Sequence, residues 1–320
     1  MVDFATHAEP FRRELVVHCY RMLGSVHEAE DLVQEALLKA WRAWERYDAQ
    51  RASVRTWLYK IATNACLSAL EGRARRPLPA GLGGPSDDPG SPLVPDFEVP
   101  WLQPFPDARL DDPASRVVRR GSLRLALVAA MQLLPPKQRA VLILRDVLEF
   151  SAAEVASQLD TSVASVNSAL QRARAGISGT AESSVSEPED VSAVIDRYIR
   201  SFEAADIDGL VALLTDDAVL EMPPVPLWYS GKADYGRFMA RLYDMRGTGW
   251  RMVPTSANGQ PATIAYCLGD DGRYHLHTLQ IFTVTPSGIS HNVVFQDLEV
   301  FRAFRFRPTL PAVRSPSDGA

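Results

Sequence analysis

The sequence predicts a multi-domain chain in which two all-α domains are followed by an α+β domain. Apolar residues recur at spacings of three and four from residue 11 to 74 and again from about 114 to 177, the period of amphipathic helices. Ten prolines and four glycines crowd residues 77–113 between these blocks and exclude helix or ladder there. From residue 191 the pattern opens helical and then alternates with the period of strands, which is the order of an α+β domain. A length of 320 residues accommodates three such parts, since domains run to about 100–200 residues each.

Composition narrows the class. Hydrophobic residues make up 46% and charged residues 23%, too apolar for a disordered chain, and no apolar run reaches membrane-spanning length. Three cysteines, Cys19, Cys66 and Cys267, provide neither a disulfide framework nor the paired spacing of a zinc site. With no basic flank and apolar stretch of a secretory signal at the start, the expectation is a cytoplasmic protein with no membrane partner. The net charge of -5 argues against a nucleic-acid partner only while the chain is taken whole. Residues 1–76 carry 12 basic and 10 acidic side chains and 114–180 carry 9 and 4, whereas 77–113 and 181–320 carry 1 against 7 and 12 against 18. Two basic blocks are thus diluted by acidic ones.

The elements follow in order. Phe11, Leu15, Val16, Cys19, Tyr20 and Leu23 form one helical stripe, closed by Gly24. After Ser25 a second helix carries Glu28, Glu30 and Asp31 in its early turns, where carboxylates suit the helix dipole, then Leu32, Val33, Ala36, Leu37, Ala40 and Trp41. A third is expected from about Val54 to Ala74. Beyond the 77–113 linker, helices are expected from Ala114 to the Pro135-Pro136 stop, through Val141, Leu142 and Leu144, and from Phe150 to Ile177; a short Ser/Glu/Pro linker then precedes the last domain, 190–308. There, helical stripes at 194–202, 210–214 and 228–243 precede strands expected at 250–253, 262–268, 275–285 and 289–301.

Residues 151–174 have the build of a helix-turn-helix: a short first helix Ala152 to Leu159, a turn and cap at Asp160-Thr161-Ser162, and a second helix burying Val163, Val166 and Leu170. Its exposed positions are then Ser162, Ser165, Asn167, Ser168, Gln171, Arg172 and Arg174, short polar groups followed by arginines, which suit a recognition helix in the major groove. A plain helical hairpin with a solvated face would share the pattern. In the third helix, Arg55, Lys60, Arg73, Arg75 and Arg76 are interleaved with Trp57 and Tyr59, cations for phosphates and π faces for unstacked bases, although Trp57 and Tyr59 taken alone also fit a core.

Asp31-Leu-Val-Gln-Glu-Ala-Leu-Leu-Lys-Ala-Trp41 followed by Thr56-Trp-Leu-Tyr-Lys-Ile-Ala-Thr-Asn-Ala-Cys-Leu67 resembles region 2 of bacterial sigma-70 factors of the extracytoplasmic-function group, and Leu133 to Arg174 resembles their region 4. The resemblance implies a non-enzymatic promoter-recognition subunit without cofactors or metal, whose partners are core RNA polymerase (β′ and β subunits) and promoter DNA. Asp31, Gln34, Glu35, Leu38 and Trp41 would then face the clamp helices of β′. Arg55, Trp57, Tyr59, Lys60, Asn64, Arg73, Arg75 and Arg76 would melt and read the -10 element, Asn64 matching the position that captures a flipped base. Ser162 to Arg174 would read the -35 element.

Residues 191–306 resemble the SnoaL-like, ketosteroid-isomerase-like cone domain that a subset of these factors carries, and Trp101-Leu-Gln-Pro-Phe-Pro106 resembles a signature of that subset's linker, with Trp101 and Phe105 the residues expected to be clamped. The Asp-Gly-Gly-Gly-Lys motif of the best-known branch is replaced by Gly269-Asp-Asp-Gly-Arg273, which implies a sister branch. Such cones enclose an apolar pocket, so a small-molecule ligand is a further expected partner. The alternative function is a ligand-sensing or small-molecule-transforming enzyme domain fused to a DNA-binding module. Its candidate groups are Tyr198, Asp217, Glu221, His275, His277 and His291. The expected role is instead regulation, by docking on the readers or the linker.

Overall fold

A computed structural model describes residues 4–110, 123–178 and 190–311. The described residues form two compact units, one drawn from Met1–Pro77 with Leu102–Ser184, the other from Leu78–Trp101 with Val185–Ala320. The segment expected as one linker is thereby divided: its first part belongs with the carboxy-terminal unit.

The first unit is helical. A short helix α1 (Phe4–Ala8) leads to α2 (Arg12–Leu23), which ends where Gly24 takes a left-handed φ of 72°. In α3 (Val26–Ala43) the Ser25 hydroxyl caps the first turn by accepting from the Glu28 amide; in α4 (Val54–Ala69) Ser53 does the same for Thr56. The third helix therefore stops five residues short of the expected Ala74, and Gly72, with φ 70°, lies in the turns that follow. After the break, α5 (Leu125–Leu133) stops before Pro135 and α6 (Pro136–Leu142) starts on Pro136, where a missing N–H is harmless. A π-helical turn, Ile143–Val147, precedes α7 (Ala152–Gln158) and α8 (Val163–Ile177). The helix expected over 114–124 lies largely outside the described residues.

One buried cation ties the two helical blocks. The Arg139 guanidinium on α6 donates to the Gln132 side chain (2.7 Å) and to the carbonyls of Gln132 (2.9 Å), Leu134 (3.2 Å) and, across on α2, Met22. Gln132 in turn donates to the Arg21 carbonyl at 3.2 Å. Burial lowers the Arg139 pKa to about 10, still charged at neutral pH.

The second unit is α+β. Helices α9 (Val191–Glu203), α10 (Ile207–Val211) and α11 (Lys232–Arg246) pack on a sheet of seven strands: β1 (Leu214–Glu221), β2 (Trp228–Ser230), β3 (Trp250–Ala257), β4 (Gln260–Leu268), β5 (Tyr274–Thr285), β6 (Gly288–Phe295) and β7 (Thr309–Leu310). The order is β2-β1-β6-β5-β4-β3, with β7 on β5; only β1 and β6 run parallel. Tyr198, Phe202, Tyr235, Phe238 and Tyr243 of the helices meet Trp250, Ala265 and Phe282 of the sheet in the core. Two expectations are corrected. Strands do not all follow the helices, because β1 and β2 precede α11. The strand expected to run to Phe301 ends at Phe295, where Asp297 caps a helix α12 (Leu298–Phe304) by accepting from the Glu299 amide.

Candidate functional site

Helix α3 presents Asp31, Gln34, Glu35, Leu38 and Trp41 on one side, all exposed, while Leu32, Val33, Ala36, Leu37 and Ala40 are buried. Leu38 is 45% and Trp41 60% exposed, two large apolar side chains beside carboxylates on a helix whose other face is satisfied by α2 and α4.

The residues expected at the -10 element separate into three groups. Arg55 and Tyr59 pack inward: the Arg55 guanidinium lies 4.6 Å from the Phe150 ring and 5.0 Å from that of Tyr59, and 3.6 Å from the Glu14 carboxylate. Tyr59 is fully buried, edge-on to Phe150 at 5.4 Å and to His18 at 5.1 Å, so in this arrangement it offers no face to a base. Trp57, Lys60 and Asn64, spaced three and four apart, share another face of α4. Lys60 Nζ on that face donates to the Ser157 carbonyl and to Asp160, both at 2.9 Å, at the end of α7. Arg73, Arg75 and Arg76 follow the helix, and Arg73 and Arg76 both donate to Glu28, at 3.1 and 2.8 Å.

Trp57 belongs to a half-exposed aromatic group that sequence reasoning did not single out. Trp44 and Tyr47 stack with centroids 5.2 Å and planes 5° apart, and Trp57 lies 5.0 Å from Tyr47 and 6.0 Å from Trp44. The legible signal was the run of aromatics at 41, 44 and 47, three residues apart.

In the helix-turn-helix, Ser151 and Glu154 form a reciprocal capping box at the start of α7, Asp160 turns the chain with φ 47°, and Ser162 caps α8 by accepting from the Ser165 amide. Val166, Leu170 and Ala173 are buried; Val163, expected in the stripe, is 44% exposed because it lies in the first turn, beside the buried row. Ser162, Ser165, Asn167, Ser168, Gln171, Arg172 and Arg174 are all exposed. Ser165, Ser168 and Arg172 form one line along α8, and Arg172 donates to the Ser168 hydroxyl at 2.7 Å. Arg174 turns to the flank, where it grips Asp146 through two bonds of 2.8 and 2.7 Å.

Of the linker pair, Trp101 is buried in the second unit and donates from its indole nitrogen to the Asp96 carbonyl at 2.7 Å. Phe105 is buried in the first, 5.0 Å from the Tyr20 ring.

The second unit holds a cavity of about 650 Å³, walled by Phe202, Phe238, Met239 and Trp250 and by Leu93, Pro95 and Phe97 of the segment before Trp101. Tyr198, Thr278, Gln280, Asn292, Gln296, His277 and two arginines supply its polar groups; among the described residues no carboxylate lines it. Glu221 faces away, accepting from the Ala80 amide and meeting His291, both at 2.8 Å. His275 pairs with Asp271 at 2.9 Å in the turn before β5, and Asp217 accepts from Thr215 at 2.8 Å on the surface. Of the enzyme candidates, Tyr198 and His277 thus share the cavity, Glu221 and His291 pair outside its lining, and Asp217 and His275 lie apart; among the described residues no three metal-ligating side chains converge.

A helix-turn-helix with a free polar face, an acidic and apolar face on α3 and a cone domain in series define the class of sigma-70-type transcription factors carrying a SnoaL-like domain. The family models agree by segment: sigma-70 region 2 over residues 8–76, sigma-70 region 4 over 124–176 and the SnoaL-like domain over 195–290. The chain belongs to the extracytoplasmic-function (ECF) RNA polymerase sigma factors. It is 49% identical to ECF RNA polymerase sigma factor SigG of Mycobacterium tuberculosis over 94% of this chain and 83% of that one. To ECF RNA polymerase sigma factor SigJ of the same organism it is 30% identical, over 65% of this chain and 61% of that one. The crystal structure of M. tuberculosis SigJ shares the fold, with a TM-score of 0.65 at 24% identity over 94% of this chain and 99% of that one. The chain is therefore a transcription initiation factor and not an enzyme; sigma factors bind core RNA polymerase and promoter DNA. No helix among the described residues is long and apolar enough to cross a membrane.

Proposed function

We propose that this sigma factor directs core polymerase to a two-element promoter, with α8 reading the -35 element, α4 reading and melting the -10 element, α3 seated on the β′ clamp helices, and the SnoaL-like domain modulating the exchange. The observation that carries the reading is the line Ser165, Ser168 and Arg172 on α8, solvent-facing and opposite a fully packed row, in a helix-turn-helix frame. Short hydroxyl side chains admit close approach to base edges, and Arg172 has the length to reach a guanine edge or a phosphate. The contacts of α4 set a condition on the -10 step. Lys60 spends its charge on Ser157 and Asp160 of the region 4 block, and Arg55, paired with Glu14, also lies over the Phe150 ring of that block, so α4 and α7 must part before single-stranded DNA reaches α4. The modulation rests on that equilibrium between a packed and a parted state. Run-off transcription with purified core polymerase tests both halves. Arg172→Ala is expected to lower output from a two-element promoter, whereas equal output from wild type and variant contradicts the -35 assignment. Deleting residues 191–320 is expected to change output, and unchanged output rejects the modulating role.

A further inference from the structure

The cavity of the SnoaL-like domain has a polar deep end and a cationic mouth. At its deep end, Tyr198 and Tyr235 hydroxyls meet at 2.9 Å, Tyr198 donates to Gln280 Oε1 at 2.9 Å, and Asn292 Nδ2 donates to Tyr235 at 2.7 Å and to Gln280 Oε1 at 3.3 Å. Burial raises both tyrosine pKa values, so both phenols stay protonated. This arrangement leaves two amide groups over. Asn292, 1% exposed, has a buried Oδ1 with no hydrogen-bond partner, and Gln280, whose Oε1 is taken, has no partner for Nε2 among the described residues. One unspent acceptor and one unspent donor among otherwise apolar walls complement a group that both donates and accepts.

The other end is cationic. Arg246, at the exposed end of α11, lines the mouth and makes no ion pair among the described residues. Burial and the Arg246 charge hold the His277 pKa down to about 4, so this histidine is neutral at physiological pH and adds no competing charge. Arg241 is committed elsewhere: it donates to the carbonyls of Pro89 and Ser91, both at 2.6 Å, and so fixes the strap that carries Leu93, Pro95 and Phe97. Further bonds, from the Asp96 amide to the Pro224 carbonyl (2.9 Å) and from the Trp228 indole to the Gly83 carbonyl (2.9 Å), hold the same strap. Phe97 remains 76% exposed at the rim, an aromatic ring left in water beside an apolar opening.

We propose that this cavity binds a small aromatic or alicyclic anion that carries a hydroxyl or amide at the end opposite its charge, the hydroxyl or amide meeting Gln280 and Asn292, the charge meeting Arg246, and Phe97 covering the body. The assignment stands independently of whether the domain modulates initiation.

The test uses the full chain and 6-hydroxy-2-naphthoate as probe, followed by titration calorimetry. One probe per chain is expected to bind saturably. 2-Naphthoate, which lacks the hydroxyl, is expected to bind about tenfold more weakly, the scale of one lost hydrogen bond. Arg246→Ala, a change at an exposed position, is expected to weaken the hydroxynaphthoate by a similar factor while leaving the uncharged 2-naphthol unaffected. Phe97→Ala is expected to weaken all three. Absence of saturable binding at millimolar probe overturns the proposal. So does equal affinity for naphthoate and hydroxynaphthoate, or an Arg246→Ala variant that binds the anions as wild type does.

Discussion

His18 shows what one side chain does to the unit around it. It is fully buried, with Nε2 at 2.9 Å from the Thr63 hydroxyl, and burial, with the charges of Arg21 and Arg55, holds its pKa down to about 3. The unfolded chain takes up a proton near pH 6.5 that the folded chain refuses. Stability due to the neutral imidazole is therefore full above pH 6.5 and is lost as pH falls towards 3, by roughly 4 kcal/mol at the extreme. His18→Gln is expected to flatten this acid limb, read as the thermal midpoint against pH between 3 and 7. Arg139→Ala is expected to destabilise by on the order of 3 kcal/mol, because four acceptors lose a buried donor; calorimetric unfolding at neutral pH reads it. At the residues proposed to face DNA the expectation differs. Asn64→Ala and Arg172→Ala are expected to leave stability nearly unchanged while each lowers promoter affinity by about 1–3 kcal/mol in fragment-binding titrations. Arg174→Ala is expected to have the smaller effect on DNA, since its guanidinium already grips Asp146.

At the scale of elements, α3 makes the clearest separation between packing and partner. Its buried row explains the helix, and its other row, with Leu38 and Trp41 in water, explains nothing about folding. Leu38→Asp together with Trp41→Ala is expected to leave the melting curve unmoved and to weaken core polymerase binding by about 2 kcal/mol or more, measured by holoenzyme formation on a gel-filtration column. This face was legible in the sequence because a helix of period 3.6 sorts residues by side, except at Trp41, which was expected in the apolar stripe and is instead 60% exposed in the last turns of the helix. The α8 face was legible for the same reason, except at Val163, where the first turn has no neighbour to cover it. Tyr59 was not: its type suits base stacking and core equally, and only the long-range arrival of Phe150 decides. The short strand β2 and the cap that ends β6 were missed because three-residue strands carry too few alternations to register, and because Asp297 stops a strand through a local hydrogen bond that periodicity does not report. The cavity's polar end was missed for a further reason. Tyr198, Gln280 and Asn292 come from three elements up to 94 residues apart, and nothing local links them.

For the whole molecule, the net charge of -5 is the sum of unlike parts, and function follows the parts. Two basic helical blocks carry the helices proposed to read DNA, while the acidic segment from residue 77 lies in part along the SnoaL-like domain, anchored by Glu221, Arg241 and Trp228. Inside the helical unit, Lys60 and Arg55 hold residues of region 4 with groups that DNA would otherwise claim. Under the proposed function, a factor built in this way is expected to read DNA weakly alone and strongly once polymerase separates its regions. The most direct measurement is selection and sequencing of DNA fragments bound by the full chain with core polymerase, followed by run-off transcription from the enriched fragments. Enrichment of two separated sequence blocks that support initiation, lost with Arg172→Ala at one block and Asn64→Ala at the other, is the result this build requires. Enrichment no greater than with core polymerase alone, or initiation indifferent to both substitutions, contradicts it.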